Sequence, residues 1–111
     1  MSTLSSHVLD TVTGRPARGL ALRLDVLDGG SWLTLAHAVT DDDGRVRRVS
    51  PEALAAGTYR VTFETRAYLE AAGRPVFYPQ VDVVFVVGAA AEHYHVPLLL
   101  SPFGYSTYRG S

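Results

Sequence analysis

The sequence predicts an all-β protein, an eight-stranded β-sandwich with one short helix. Three observations carry this reading. Apolar and polar residues alternate with period two along several stretches. Turns rich in Gly, Asp and Pro separate those stretches at short intervals. One segment, Arg66 to Ala72, is the best candidate for a helix. Strands that each bury one face need a second sheet to bury it against.

The elements follow in order. Ser5 to Asp10 is the first strand and ends at the Thr13-Gly14-Arg15-Pro16 turn. Leu20 to Leu27 sets Leu20, Leu22, Leu24 and Val26 against Ala21, Arg23 and Asp25. Asp28-Gly29-Gly30 makes a hairpin turn into Ser31 to Val39. Asp41-Asp42-Asp43-Gly44 is a second turn, built from residues that tolerate left-handed backbone. Val46 and Val49 frame a short strand. Ser50-Pro51-Glu52 has the cap and first-turn proline of a helix, but Gly57 stops it early. Tyr59 to Thr65 is a strand of β-branched and aromatic residues. The helix at Arg66 to Ala72 ends at Gly73 and Pro75. Phe77 to Val87 and His93 to Leu100 are long apolar strands. Ser101-Pro102-Phe103-Gly104 turns the chain into a last strand, Tyr105 to Tyr108.

Composition narrows the function classes. The 111 residues fit one domain spanning 1–111. A 47% hydrophobic content with a net charge of only -1 argues for a packed core and against disorder. That charge balance gives no reason to expect nucleic acid or a membrane surface as partner. All ten basic residues are arginine. The absence of cysteine excludes disulfides and Cys-ligated zinc. The start, Met1 to Asp10, shows no secretory signal, and no apolar run is long enough for a membrane helix. A cytoplasmic location is therefore expected.

The chemistry concentrates between Glu92 and Ser111, EHYHVPLLLSPFGYSTYRGS. Strand alternation points His93 and His95 the same way, roughly 7 Å apart. Histidine exchanges protons near neutral pH without further perturbation. Two of them on a rigid strand, next to a polar tail, read as a site.

Two segments resemble the transthyretin superfamily. One is His7-Val8-Leu9-Asp10 followed by Gly14 and Pro16-Ala17; the other runs from Tyr94-His95-Val96-Pro97 through Ser101-Pro102-Phe103-Gly104-Tyr105-Ser106. Within that superfamily the chain is similar to the 5-hydroxyisourate hydrolases. Four features carry this likeness: His7, Arg45 in Asp43-Gly44-Arg45, His95 in its His-Val-Pro context, and the tail Tyr108-Arg109-Gly110-Ser111. The resemblance implies a transthyretin-like (prealbumin-like) sandwich. It implies a homotetramer with sites at the dimer–dimer interface, 5-hydroxyisourate as small-molecule substrate, and no cofactor. It also implies that His7, Arg45, His95 and Ser111 are catalytic, with His7, Arg45 and Tyr108 binding substrate. The alternative is a transthyretin-like protein that binds a small ligand without turnover.

The family reaction opens a cyclic ureide. Water adds to the C6 carbonyl and the adjacent ring C–N bond breaks. Such a step needs a base, an oxyanion donor and groups that fix a flat ligand. His95 and His7 are candidate bases, and Arg45 is expected to keep the imidazole neutral. Arg45 also offers a planar fork of donors to a ureide edge, and Ser111 a hydroxyl and, as last residue, a carboxylate. His93 falls outside the matching set and is expected to support the structure. His37 is expected to be a solvated or interface residue, and Arg47 and Arg48 surface charges. Asp41 to Asp43 lack the spacing of a calcium loop. A three-histidine zinc site from His7, His93 and His95 ranks below the metal-free reading, because Arg45 would repel a cation. Free tails fray, so Tyr108 to Ser111 must be held, on this reading by a neighbouring subunit.

Overall fold

Alternation in Thr3–Asp10 (β1) decides which of its residues meet the core. In a computed structural model describing Met1 to Ser111, Leu4, Ser6, Val8 and Asp10 are buried, while Thr3, Ser5, His7 and Leu9 face outward. Eight further strands follow: Arg15–Pro16 (β2), Ala21–Asp28 (β3), Ser31–Val39 (β4), Arg45–Val46 (β5), Gly57–Phe63 (β6), Val81–Val87 (β7), His93–Ser101 (β8) and Gly104–Thr107 (β9). One helix, Thr65–Ala71 (α1), links β6 to β7. The first sheet runs β2-β1-β8-β9, with β5 also paired to β1; the second runs β4-β3-β6-β7. No helix is long and apolar enough to cross a membrane.

The two sheets close over a core of aliphatic residues. Leu4, Val8, Val96, Leu98 and Leu100 from the first sheet meet Leu22, Leu24, Val61, Phe63, Val81 and Val87 from the second. Each such side chain contributes about 2 kcal/mol by leaving water. β1 and β8 pair in parallel although they come from opposite ends of the chain. Every other strand pair is antiparallel.

The sandwich and its single helix agree with the sequence reading, with local differences. Nine strands form rather than eight, because Arg15–Pro16, read as part of a turn, folds back onto Leu9 and Asp10. The short strand near Val46 starts at Arg45 and does not reach Val49. Ser50 to Glu52 makes no helix; Leu54 instead exchanges backbone hydrogen bonds with Ser2. The strand expected from Phe77 begins only at Val81, after the prolines and the Phe77–Tyr78 packing. In β3, Asp25 is buried at 1% exposure rather than solvated, because Arg23, Arg60 and Thr34 close over its carboxylate.

Asp10 fastens the helix to the first sheet. Its carboxylate, fully buried, accepts hydrogen bonds from the Tyr68 hydroxyl at 2.8 Å and from Arg74 at 2.6 Å. Burial alone would raise its pKa; the Arg74 and Tyr68 hydrogen bonds outweigh burial and hold it below 3.8. Arg74→Met strands this carboxylate without its cation. The expected loss is about 3 kcal/mol in urea unfolding at neutral pH. Stability from the depressed Asp10 pKa is complete above 3.8 and is lost as pH falls through the folded-state value. In Arg74→Met that loss begins at higher pH. An unchanged urea midpoint would show that the pair does not support the fold.

Candidate active site

Register gathers the polar residues. Across the parallel β1–β8 pair, Thr3 lies beside His93, Ser5 beside His95, and His7 beside Pro97. On the other edge of β1, His7 lies beside Arg45. Thr3, Ser5, His7, His93, His95 and Arg45 therefore share the outer face of the first sheet.

A tight turn sets Arg45 in place. Asp41 Oδ1 accepts the backbone N–H groups of Asp43 and Arg45, both at 2.9 Å. The acidic run is thus a turn. Gly44 has φ +71° and its backbone presses on β1, so a Cβ there would stand 2.6 Å from the Val8 carbonyl oxygen. His7 Nε2–H donates to the Asp43 carbonyl at 3.1 Å, tying the same turn to β1.

The tail is held by its own chain. Gly110 N–H donates to the His95 carbonyl at 2.8 Å. The Arg109 guanidinium stacks 4.5 Å over the Tyr94 ring and pairs with Glu92. This corrects the expectation that a neighbouring subunit must supply the restraint. Gly110 lies against the His95 ring so closely that an added Cβ would be 2.4 Å from His95 Cδ2.

These contacts leave an open polar cavity of about 240 Å³. Arg45, His95 and Ser111 line it, together with Ser5 and Arg47. His7 is adjacent, beside Arg45. Arg47, exposed as expected, also reaches this cavity. Tyr108 lies elsewhere. It is 58% exposed and lines an apolar groove with Phe85, Val86 and Tyr94. His37 is exposed on β4, in the other sheet. No cluster of three or more His, Cys, Asp or Glu side chains is placed to hold a metal ion.

Electrostatics favour a neutral imidazole at His95. Its pKa falls below the ordinary 6.5, first through burial, then through the charges of His7, Arg45 and His93. Burial thus leads, and the guanidinium that the sequence put first ranks behind His7. Sequence reasoning passed over Ser5, whose Oγ lies 2.7 Å from His95 Nδ1. The available signal was parity: Ser5 and His7 share a face of the same strand.

Residues 4–110 match the model of the HIUase/Transthyretin family. The chain belongs to this family. Among its relatives, the 5-hydroxyisourate hydrolase of Caulobacter vibrioides is 48% identical over the whole of both chains. That of Salmonella typhimurium is 48% identical over 97% of this chain and 80% of the relative. The structure of Klebsiella pneumoniae 5-hydroxyisourate hydrolase superposes with TM-score 0.90, at 44% identity and full coverage of both. Sea bream transthyretin in complex with thyroxine gives TM-score 0.88 at 35% identity, covering 97% of this chain and 94% of the other. The fold is therefore common to members named as hydrolases and to a transthyretin in complex with thyroxine, and residues at the site must separate them.

The tail contact is directly testable. Gly110→Ala should displace residues 109–111 from the His95 ring, because the new methyl has no room there. The expected results are a shifted His95 ring resonance and faster proteolysis of the tail, with the thermal midpoint within about 2 °C of wild type. An unmoved His95 resonance would rule out the close packing.

Proposed function

We propose that the chain is an enzyme that hydrolyses 5-hydroxyisourate to 2-oxo-4-hydroxy-4-carboxy-5-ureidoimidazoline, a step of urate breakdown towards allantoin. The observation that carries this reading is the convergence of Arg45, His95 and Ser111 on one polar cavity. The names and identities of the relatives support it.

His95 acts as general base. A histidine half-buried beside cationic neighbours stays unprotonated at neutral pH and can take a proton from water. Water then adds to the C6 carbonyl of the substrate. Arg45 faces the same cavity and stabilises the oxyanion that forms. Its planar donors also fit the ureide edge. His7, next to Arg45, binds the flat ring and shares the proton chemistry. Ser111 orients water or substrate from the tail. The ring C–N bond breaks as the nitrogen is protonated. No metal enters this scheme, since a ureide carbonyl beside a fixed guanidinium is already polarised.

Domain and assembly belong to the same proposal. Residues 1–111 act as one domain in the cytoplasm. Phe77, Val84, Val86, Phe103, Tyr105 and Tyr108 are large, apolar and exposed, which supports burial between subunits. A homotetramer with paired sites at the dimer–dimer interface accounts for them. In such a tetramer Tyr108 contacts substrate from a neighbouring subunit, since within one chain it faces a separate groove. Sedimentation at micromolar concentration tests the assembly, and a monomer would remove it.

The reaction is tested by following enzymatically generated 5-hydroxyisourate with and without protein. Wild type should accelerate its loss well above spontaneous decay; equal rates would end the hydrolase reading. His95→Ala and Arg45→Ala should keep the fold and each lose about 10²-fold or more in kcat/KM. The pH profile follows the protonation of His95. Activity needs neutral His95, so kcat/KM is full above 6.5 and falls only as pH drops through the depressed folded value. Arg45→Ala, which removes one depressing charge, should move that acid limb upward. A limb above 6.5 in wild type would exclude His95 as the base.

A further inference from the structure

Four side chains form one unbroken hydrogen-bond chain across β1 and β8. Thr3 Oγ1 lies 2.6 Å from His93 Nδ1, His93 Nε2 lies 2.8 Å from Ser5 Oγ, and Ser5 Oγ lies 2.7 Å from His95 Nδ1. Both nitrogens of His93 are thereby engaged. His95 Nε2 has no partner in the chain, and its ring lines the polar cavity. The parallel register builds this ladder, placing each β1 hydroxyl beside its β8 histidine. His93 is exposed, so the chain runs from the cavity to bulk water.

A head-to-tail chain of donors can run in two directions. In the first, His95 donates from Nδ1 to Ser5, Ser5 donates to His93 Nε2, and His93 donates from Nδ1 to Thr3. His95 Nε2 is then a bare lone pair. In the second, every donor is reversed and His95 carries its proton on Nε2. Arg45 and Arg47 line the cavity that His95 faces, and cations favour a lone pair over an N–H directed at them. The charged and titratable groups around the two rings are His7 from β1, Arg45 and Arg47 from β5 and the loop after it, the Ser111 carboxylate at the same cavity, where two guanidiniums outnumber it, and the pair of Glu92, just before β8, with Arg109 of the tail.

The geometry points to a proton relay: Ser5 and His93 hold His95 with its cavity-side nitrogen bare, then drain its opposite nitrogen to solvent when the bare one is protonated. The balance is closed. One proton leaves water and binds His95 Nε2. The Nδ1 proton of His95 passes to Ser5 Oγ, the former Ser5 proton to His93 Nε2, and the former His93 Nδ1 proton to Thr3. Thr3 releases its own hydroxyl proton to solvent. His95 stays neutral and now carries Nε2–H; it gives that proton to the leaving nitrogen as the chain runs back, Thr3 taking a proton from solvent and Ser5 returning one to His95 Nδ1. Ser5 and His93 are thus positioning residues acting through His95. The catalytic part of this relay rests on the hydrolase reading; the orientation of His95 does not.

The test has a substrate-free arm and a kinetic arm. Imidazole ¹⁵N–¹H correlation spectra of the full chain should show His95 protonated on Nδ1, and Ser5→Ala should shift it towards Nε2. A wild-type Nε2–H tautomer, or no change in Ser5→Ala, overturns the relay whatever the activity. In the kinetic arm, His93→Gln keeps a donor and an acceptor but cannot pass a proton. At low buffer it should lose about tenfold in kcat, with KM within about twofold, and added imidazole should restore the rate. Ser5→Thr, which keeps the hydroxyl, should stay near wild type and stands in should Ser5→Ala fail to fold. An unchanged kcat in His93→Gln, or a loss that imidazole does not restore, overturns the relay. If wild type shows the Nδ1 tautomer but no turnover, the hydrolase reading falls and the orienting role of Ser5 stands.

Discussion

The parallel pairing of β1 with β8 is the constraint on which the rest of the structure depends. Its two strands are separated by about ninety residues, and closing a loop that long costs about 4 kcal/mol in chain entropy. The inward faces offset that cost: Leu4 and Val8 on one strand, Val96, Leu98 and Leu100 on the other, are all buried. At about 2 kcal/mol each, the burial of these five side chains exceeds the closure term about two and a half times. The outward faces gain little, so they are free to carry polar residues. That division lets one strand pair hold both the core and the cavity.

Register then determines chemistry. A shift of one residue between β1 and β8 would put the β1 hydroxyls opposite inward-facing positions and leave the histidines without partners. The pairing is pinned from the core side, because the same slip would turn Leu4 and Val8 to solvent. Apolar packing on one face therefore fixes hydrogen bonds on the other. The Gly44 turn acts in the same way at the second edge of β1, where only a residue without a side chain lets Arg45 approach His7.

The tail adds a restraint that is neither strand nor core. Arg109 anchors it by stacking and pairing, and Gly110 lies flat on the His95 ring. The stacking on Tyr94 and the contact with His95 use β8 residues, so the strand that carries His95 also positions Ser111 at the same cavity. Desolvation of His95 by burial lowers its basicity more than any one neighbouring charge does. The family's shared sandwich leaves such local contacts to distinguish one member from another.

By itself, the sequence determined the strands, the single helix and the faces on which residues lie, because period-two alternation and turn chemistry are local. It also marked His7, Arg45, His95 and Ser111, through motifs that survive as short strings. Tertiary structure alone decided which strands are neighbours. Nothing local places Ser5 beside His95 or Thr3 beside His93, since those pairs are about ninety residues apart and meet only through burial of their strands' opposite faces. The same holds for Asp10 with Arg74, for the two-residue strand at Arg15–Pro16, and for Gly110 on the His95 ring. A side chain's alternation is written in its own strand; its partners depend on how much apolar surface distant strands can hide together.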